Sequence, residues 1–135
     1  MTVIDKFRSL VPLHVGLVLA STGVGVTVAT HLAVLIGALS HTDVTGGRVK
    51  DPRRGREIAT ASLITQVPVV MLVARNATRT GRTPRAERVA MGVLAAASAL
   101  SIPVQLLGTG FERAAMAPTA AALAVGFARL SLGGD

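Results

Sequence analysis

The first long apolar stretch covers residues 9–40, and no Asp, Glu, Lys or Arg occurs between Arg8 and Asp43. A bilayer core of about 30 Å is crossed by roughly 20 apolar residues in a helix, so this run predicts a membrane span with residues to spare. Three further apolar runs follow. Residues 58–74 sit between Glu57 and Arg75, an acid at the start and a base at the finish, as the helix dipole favours. Residues 89–110 and 114–132 form the other two, separated by Gly108-Thr109-Gly110, Glu112 and Arg113. The pattern predicts an all-α fold: one domain, 1–135, built as an up-and-down bundle of four transmembrane helices over about 10–39, 58–74, 89–110 and 114–132.

Polar segments divide these runs. Residues 41–57 read as a loop, because Gly46-Gly47 and Pro52 interrupt helical pattern. Residues 75–88 form a second basic loop. Pro68 and Pro103 fall inside the second and third spans, where each removes a backbone donor and predicts a kink. Pro118 fits the first turn of the fourth. Gly16, Ala20, Ser21, Gly23 and Gly25 thin one part of the first span and predict close helix packing. Dense alanine at 95–99 and 120–124 predicts the same for helices three and four. The apolar run continues well beyond the length of a cleaved leader's core, about 7–15 residues, so an uncleaved first span is expected.

Composition sharpens this picture. Half of the 135 residues are hydrophobic, only 16% are charged, and mean hydropathy is +0.58. The net charge of +7 would suggest nucleic acid in a soluble chain, but there is no Trp or Tyr and only three Phe to stack on bases. Basic residues flanking apolar runs instead suit lipid phosphates. The expected partners are therefore the bilayer, and other membrane subunits or a second copy, with no nucleic acid. Absent cysteine removes disulfides, thiolate chemistry and Cys-based metal sites. Arg outnumbers Lys twelve to two, a bias typical of a GC-rich bacterial genome, and the expected location is the bacterial cytoplasmic membrane.

With four spans, both termini and the 75–88 loop share one face, here face B, and the 41–57 loop and 108–113 turn share face A. Face B holds eight of the fourteen basic residues, including Arg79, Arg82 and Arg85. Face A holds six, including Arg53, Arg54 and Arg56. These six arginines are candidates for headgroup contact and for setting orientation. The excess of Lys and Arg on face B predicts that both termini are cytoplasmic. Arg129, near the end of the last span, is expected to snorkel to the interface.

No dinucleotide or phosphate-loop fingerprint, GxSxG, or paired-carboxylate arrangement is present, and no cofactor is expected. His14 and His31 lie about 25 Å apart on a helix, and His31 and His41 about 15 Å apart if helical, so no shared metal site is expected. Every acid sits in a loop or at a span boundary, which disfavours a proton-coupled carrier. A matched spacing is more informative. Ser62 and Gln66 precede Pro68, and Ser101 and Gln105 bracket Pro103, each pair on one helical face. At roughly 1.5 Å per residue, Ser62, Gln66, Ser101, Gln105 and His31 reach one layer, about 8–16 Å below face A. These five residues are the pocket candidates. They read either as a polar cavity in which His31 is the proton-exchanging group, or as interhelical hydrogen bonding.

Gly55-Arg56-Glu57-Ile58, the 95–105 stretch ending Ser101-Ile102-Pro103-Val104-Gln105, and Gly110 resemble the small four-helix DoxX-like membrane proteins of bacteria. The resemblance covers helices two to four. Some relatives carry an acid after the helix-three proline, where this chain has Gln105-Leu106. It implies a small integral membrane protein of open function. Three roles stay open: a non-catalytic membrane component or accessory subunit, a small embedded enzyme or carrier acting on a lipophilic molecule, and a lipid-surface protein whose basic loops bind anionic headgroups.

Overall fold

In the computed structural model, which describes residues 1–133, the chain forms four helices long and apolar enough to cross a membrane. No strand occurs among the described residues. The order is α1 (Val3–Leu10), α2 (Leu13–Leu35), α3 (His41–Val44), α4 (Pro52–Thr78), α5 (Arg85–Leu106), a π-helical turn (Glu112–Met116) and α6 (Ala117–Ser131). It is an all-α, up-and-down bundle of four spanning helices.

The first apolar run is shorter as a helix than its 10–39 extent. Pro12 lacks a backbone N–H and disfavours helix in the residue before it. Val11 accordingly leaves the helical region (φ −122°, ψ 89°), and α1 and α2 are separate. α1 is held by a capping box. The Asp5 N–H donates to Thr2 Oγ1 (3.1 Å) and the Thr2 N–H donates to Asp5 Oδ2 (2.8 Å). At the other end α2 stops at Leu35, and the chain reverses at Gly37. The second span begins earlier than expected. Pro52 occupies the first turn of α4, where its missing donor costs nothing, and Asp51 caps it by accepting from the Arg53 N–H (3.0 Å). The basic residues Arg53, Arg54 and Arg56 are thus helical. Likewise α5 opens at Arg85.

α2 and α6 form the central pair. Their backbones touch: a Cβ added to Gly126 would lie 2.6 Å from the Ala20 nitrogen and 2.8 Å from the Gly16 carbonyl. Gly16, Ala20 and Gly23 recur at helical spacing on the contacting face of α2, and Ala20 is fully buried. In lipid, where apolar burial does not drive helices together, such close van der Waals packing is the main cohesive force. α4 packs on α2, and α5 packs along α6. The backbones of α4 and α5 scarcely approach each other. Ala20, Val24, Val73, Met91, Ala95, Phe127 and Leu130 form the shared core. The outer flanks of α4 and α5, such as Ile64, Val67, Val93 and Leu100, are exposed, as lipid-facing surfaces require.

Face B is tied by side chains on backbone carbonyls. Arg129 is 4% exposed rather than snorkelling. Its stem packs on Gly16, its Nε donates to the Val11 carbonyl (2.7 Å) and its Nη1 to the Gly133 carbonyl (2.8 Å). The break before Pro12 exposes the Val11 carbonyl, and Arg129 satisfies it. Arg88 Nε donates to the Ser131 carbonyl (2.9 Å), and Arg79 pairs bidentately with Glu87 (2.8 and 3.0 Å).

Candidate functional site: a polar cavity at face A

Between α2, α5 and α6, beneath the face A loops, lies a cavity of about 390 Å³. α2 supplies Thr27 and His31, α5 supplies Ser98, Ser101 and Gln105, and the start of the last span supplies Glu112 and Thr119. Arg48 enters from the loop, and Val104, Met116 and Leu123 add apolar wall. Its size falls within the range of about 300–1,000 Å³ common for small-molecule sites.

Three of the five residues expected in one polar layer, His31, Ser101 and Gln105, line this cavity together. Ser62 and Gln66 are half-buried on α4 and are not in its lining. The helix packing accounts for this: α4 lies against α2 and not against α5, so equal depth does not bring its polar pair to α5.

Glu112 is the residue that sequence reasoning passed over. It is 2% exposed. The Thr109 N–H donates to its Oε2 (3.1 Å), and the Glu112 N–H donates to Thr109 Oγ1 (3.2 Å), a second capping box. The signal was Thr109-x-x-Glu112 ahead of an apolar run. The Thr109 hydroxyl donates onward to the Asp43 carbonyl (2.6 Å), locking the two face A loops together. Arg48 Nη2 lies 3.2 Å from Glu112 Oε1. A Cβ at Gly108 would overlap the Glu112 carboxylate, and one at Gly46 would lie 2.6 Å from it, so the carboxylate rests against bare backbone. The π turn starts at this residue, with the Ala117 N–H donating to the Glu112 carbonyl. A wider turn here accommodates Pro118, which cannot donate to the turn before it.

The cavity is rich in acceptors. Thr27, Ser101 and Thr119 donate their hydroxyl protons to the carbonyls of Gly23 (2.9 Å), Ser98 (2.7 Å) and Ala115 (2.7 Å). Their remaining lone pairs are free to accept. Gln105 Oε1 is buried with no hydrogen-bond partner. An orphaned buried amide oxygen costs about 1–3 kcal/mol, which a donor from a bound molecule would recover.

His31 also reaches a second, small cavity of about 70 Å³, lined with it by His41 and Gly55. Both histidines line it because the helix ends at Leu35 and α3 folds back. The separation expected from a continuous helix therefore does not apply. His41 fits because Gly55 has no side chain: a Cβ there would lie 2.5 Å from the imidazole Cγ. No group of three or more His, Asp or Glu capable of holding a metal occurs among the described residues.

Of the candidate headgroup arginines, Arg53 pairs with Glu57 (3.2 Å) and Arg79 with Glu87, while Arg54, Arg56, Arg82 and Arg85 are exposed. A depression of about 560 Å³ beside Arg53 and Arg56 is lined by α4 alone, from Pro52 to Ile64, and is an open helix flank. No family model, curated protein or solved structure matches this chain.

Proposed function

We propose that this multi-pass membrane protein is a non-catalytic binding component that holds a small molecule in the face A cavity. The molecule presents O–H or N–H donors at one end and apolar surface at the other. The observation that carries this is Gln105 Oε1, a buried acceptor without a partner, set among hydroxyls that have already spent their protons on backbone carbonyls. The same hydroxyls support a non-catalytic role, since none of these three donates to His31 or Glu112, as activation of a nucleophile requires. Val104, Met116 and Leu123 suit the apolar end. A carrier is the second reading. Arg48 favours it: its side chain is 57% exposed yet grips a buried carboxylate, a pair placed to open at the cavity's rim.

Thermal unfolding of the detergent-purified protein against small amines, polyols and amides tests the binding reading. At 100 times its dissociation constant, a ligand stabilises the fold by about 2.7 kcal/mol. Gln105→Leu should not lower unliganded stability and should raise it by up to about 1–3 kcal/mol, because the lost oxygen makes no bond and its burial cost is relieved, and it should abolish the ligand-induced shift. Interhelical glue predicts the reverse: no ligand shift, and a loss of about 0.6 kcal/mol per bond removed. Uptake of the stabilising compound into proteoliposomes would favour the carrier.

A further inference from the structure

Another cavity, about 480 Å³ and partly open, lies at the opposite end of the bundle, under the 79–83 loop at face B. Its floor is apolar: Leu13 and Leu17 come from the first turns of α2, and Leu130 from the end of α6. Its rim is basic and polar, with His14, Arg79 and Arg82. The wall between them is held by hydrogen bonds. Thr83 Oγ1 donates to Asn76 Oδ1 (3.2 Å), and Asn76 Nδ2 donates to the Leu72 carbonyl (2.9 Å), so the loop is pinned to the end of α4.

The cationic groups here are incompletely satisfied. Arg79 uses Nη2 on both oxygens of Glu87, and Arg75 reaches the same carboxylate at 3.9 Å. Arg79 Nε remains, a buried donor with no partner. Arg82 has no hydrogen bond or ion pair among the described residues. Arg75 and Arg79 thus share one carboxylate, and Arg82 has none, beside a cavity whose floor is leucine. A buried N–H of a guanidinium and an uncommitted guanidinium at one rim call for an anion with several acceptor oxygens, which describes a phosphate group. Basic pockets between membrane helices at the interface are suited to lipid headgroups.

We propose that this cavity binds a phosphate group, held by Arg82 and the Arg79 Nε–H, and that the group belongs to an anionic lipid whose acyl chain lies along Leu13 and Leu17. The site is independent of the face A cavity and of what that cavity binds.

Native mass spectrometry of the full chain, released from detergent with added phosphatidylglycerol, phosphatidylcholine or inorganic phosphate, tests it. The expected result is one retained phosphatidylglycerol per chain and little phosphatidylcholine. Arg82→Gln should weaken retention by at least about fivefold, the effect of one basic residue near anionic headgroups. Arg85→Gln removes the same charge from the same face outside the cavity and should weaken it less. Arg82→Lys should restore part of the loss. Inorganic phosphate retained in an Arg82-dependent manner, with no lipid preference, would support the phosphate site and assign it a free phosphate compound as ligand. Equal retention of both lipids without phosphate binding, or equal effects of Arg82→Gln and Arg85→Gln, would overturn the proposal. Elution volume and unliganded melting temperature confirm that each variant is folded.

Discussion

The Glu112 carboxylate and the Arg48 guanidinium meet at 3.2 Å across 64 positions of sequence, one side chain 3% exposed and the other 57%. The pair joins the loop after α2 to the start of the last span. It also holds a carboxylate at the wall of the face A cavity. Arg48→Gln leaves that carboxylate buried with only the Thr109 N–H to balance it, and should cost up to about 3 kcal/mol. The double variant Arg48→Gln/Glu112→Gln removes the buried charge and should recover part of the loss. Denaturant or thermal unfolding of the four proteins as a double-mutant cycle measures the coupling. A double variant as unstable as the sum of the singles would show that the two residues do not act as a pair.

The contact between Gly126 and the Gly16–Ala20 backbone admits no side chain. Gly126→Ala should destabilise the protein by about 1–3 kcal/mol, the usual penalty of overpacking. Gly25 lies on the same α2 helix with nothing within 4 Å of an added Cβ. Gly25→Ala should therefore be neutral, or stabilising by up to about 1 kcal/mol from reduced backbone entropy. Melting temperatures in one detergent compare them directly, and equal losses would mean that α2 and α6 do not pack through Gly126.

The basic excess on face B predicts cytoplasmic termini. Reporter fusions in the loops at Gly46 and Gly81 should mark opposite sides of the membrane, with Gly81 cytoplasmic. Because the excess is only eight against six, neutralising Arg79, Arg82 and Arg85 together should yield mixed orientation. Uniform orientation of that variant would place the determinant elsewhere. Loss of Arg79 also removes the Glu87 pair, so the variant's expression level should be followed alongside.

The Thr2 hydroxyl and N–H hold the Asp5 carboxyl below its ordinary value of 3.8. A carboxyl with a lowered folded pKa stabilises its structure fully above the unfolded value, and that stability is lost as pH falls through the folded one. The cap on α1 should thus be constant at neutral pH and weaken only below about 3.8. Amide exchange at Thr2 and Asp5 reads this directly. Asp5→Asn should remove the pH dependence, and a transition near neutrality would contradict it.

Local signals told much of the fold. A long stretch without charge has one stable solution in lipid, a helix that satisfies its own backbone, so the four spans and their alternation were legible from residue types alone. Of the small residues on the first span, Gly16, Ala20 and Gly23 lie on its contact face, where they allow backbones to touch, whereas Ser21 and Gly25 are exposed. Capping boxes at Thr2 and Thr109 are equally local signals, but sequence reasoning used neither, and so passed over the buried acid that Thr109-x-x-Glu112 marks. The rest depended on which helix lies beside which. Depth along a span follows from counting residues, and it set His31, Ser101 and Gln105 at one level. Lateral neighbours do not follow from counting, because every apolar helix in lipid presents similar surfaces to its candidates. Only the tertiary packing of α4 on α2, away from α5, separated Ser62 and Gln66 from that cavity. Only the reversal after Leu35 brought His41 toward His31, and only the docking of two loops brought Arg48 to Glu112. Such contacts join residues far apart in the chain through backbone geometry that no local pattern encodes.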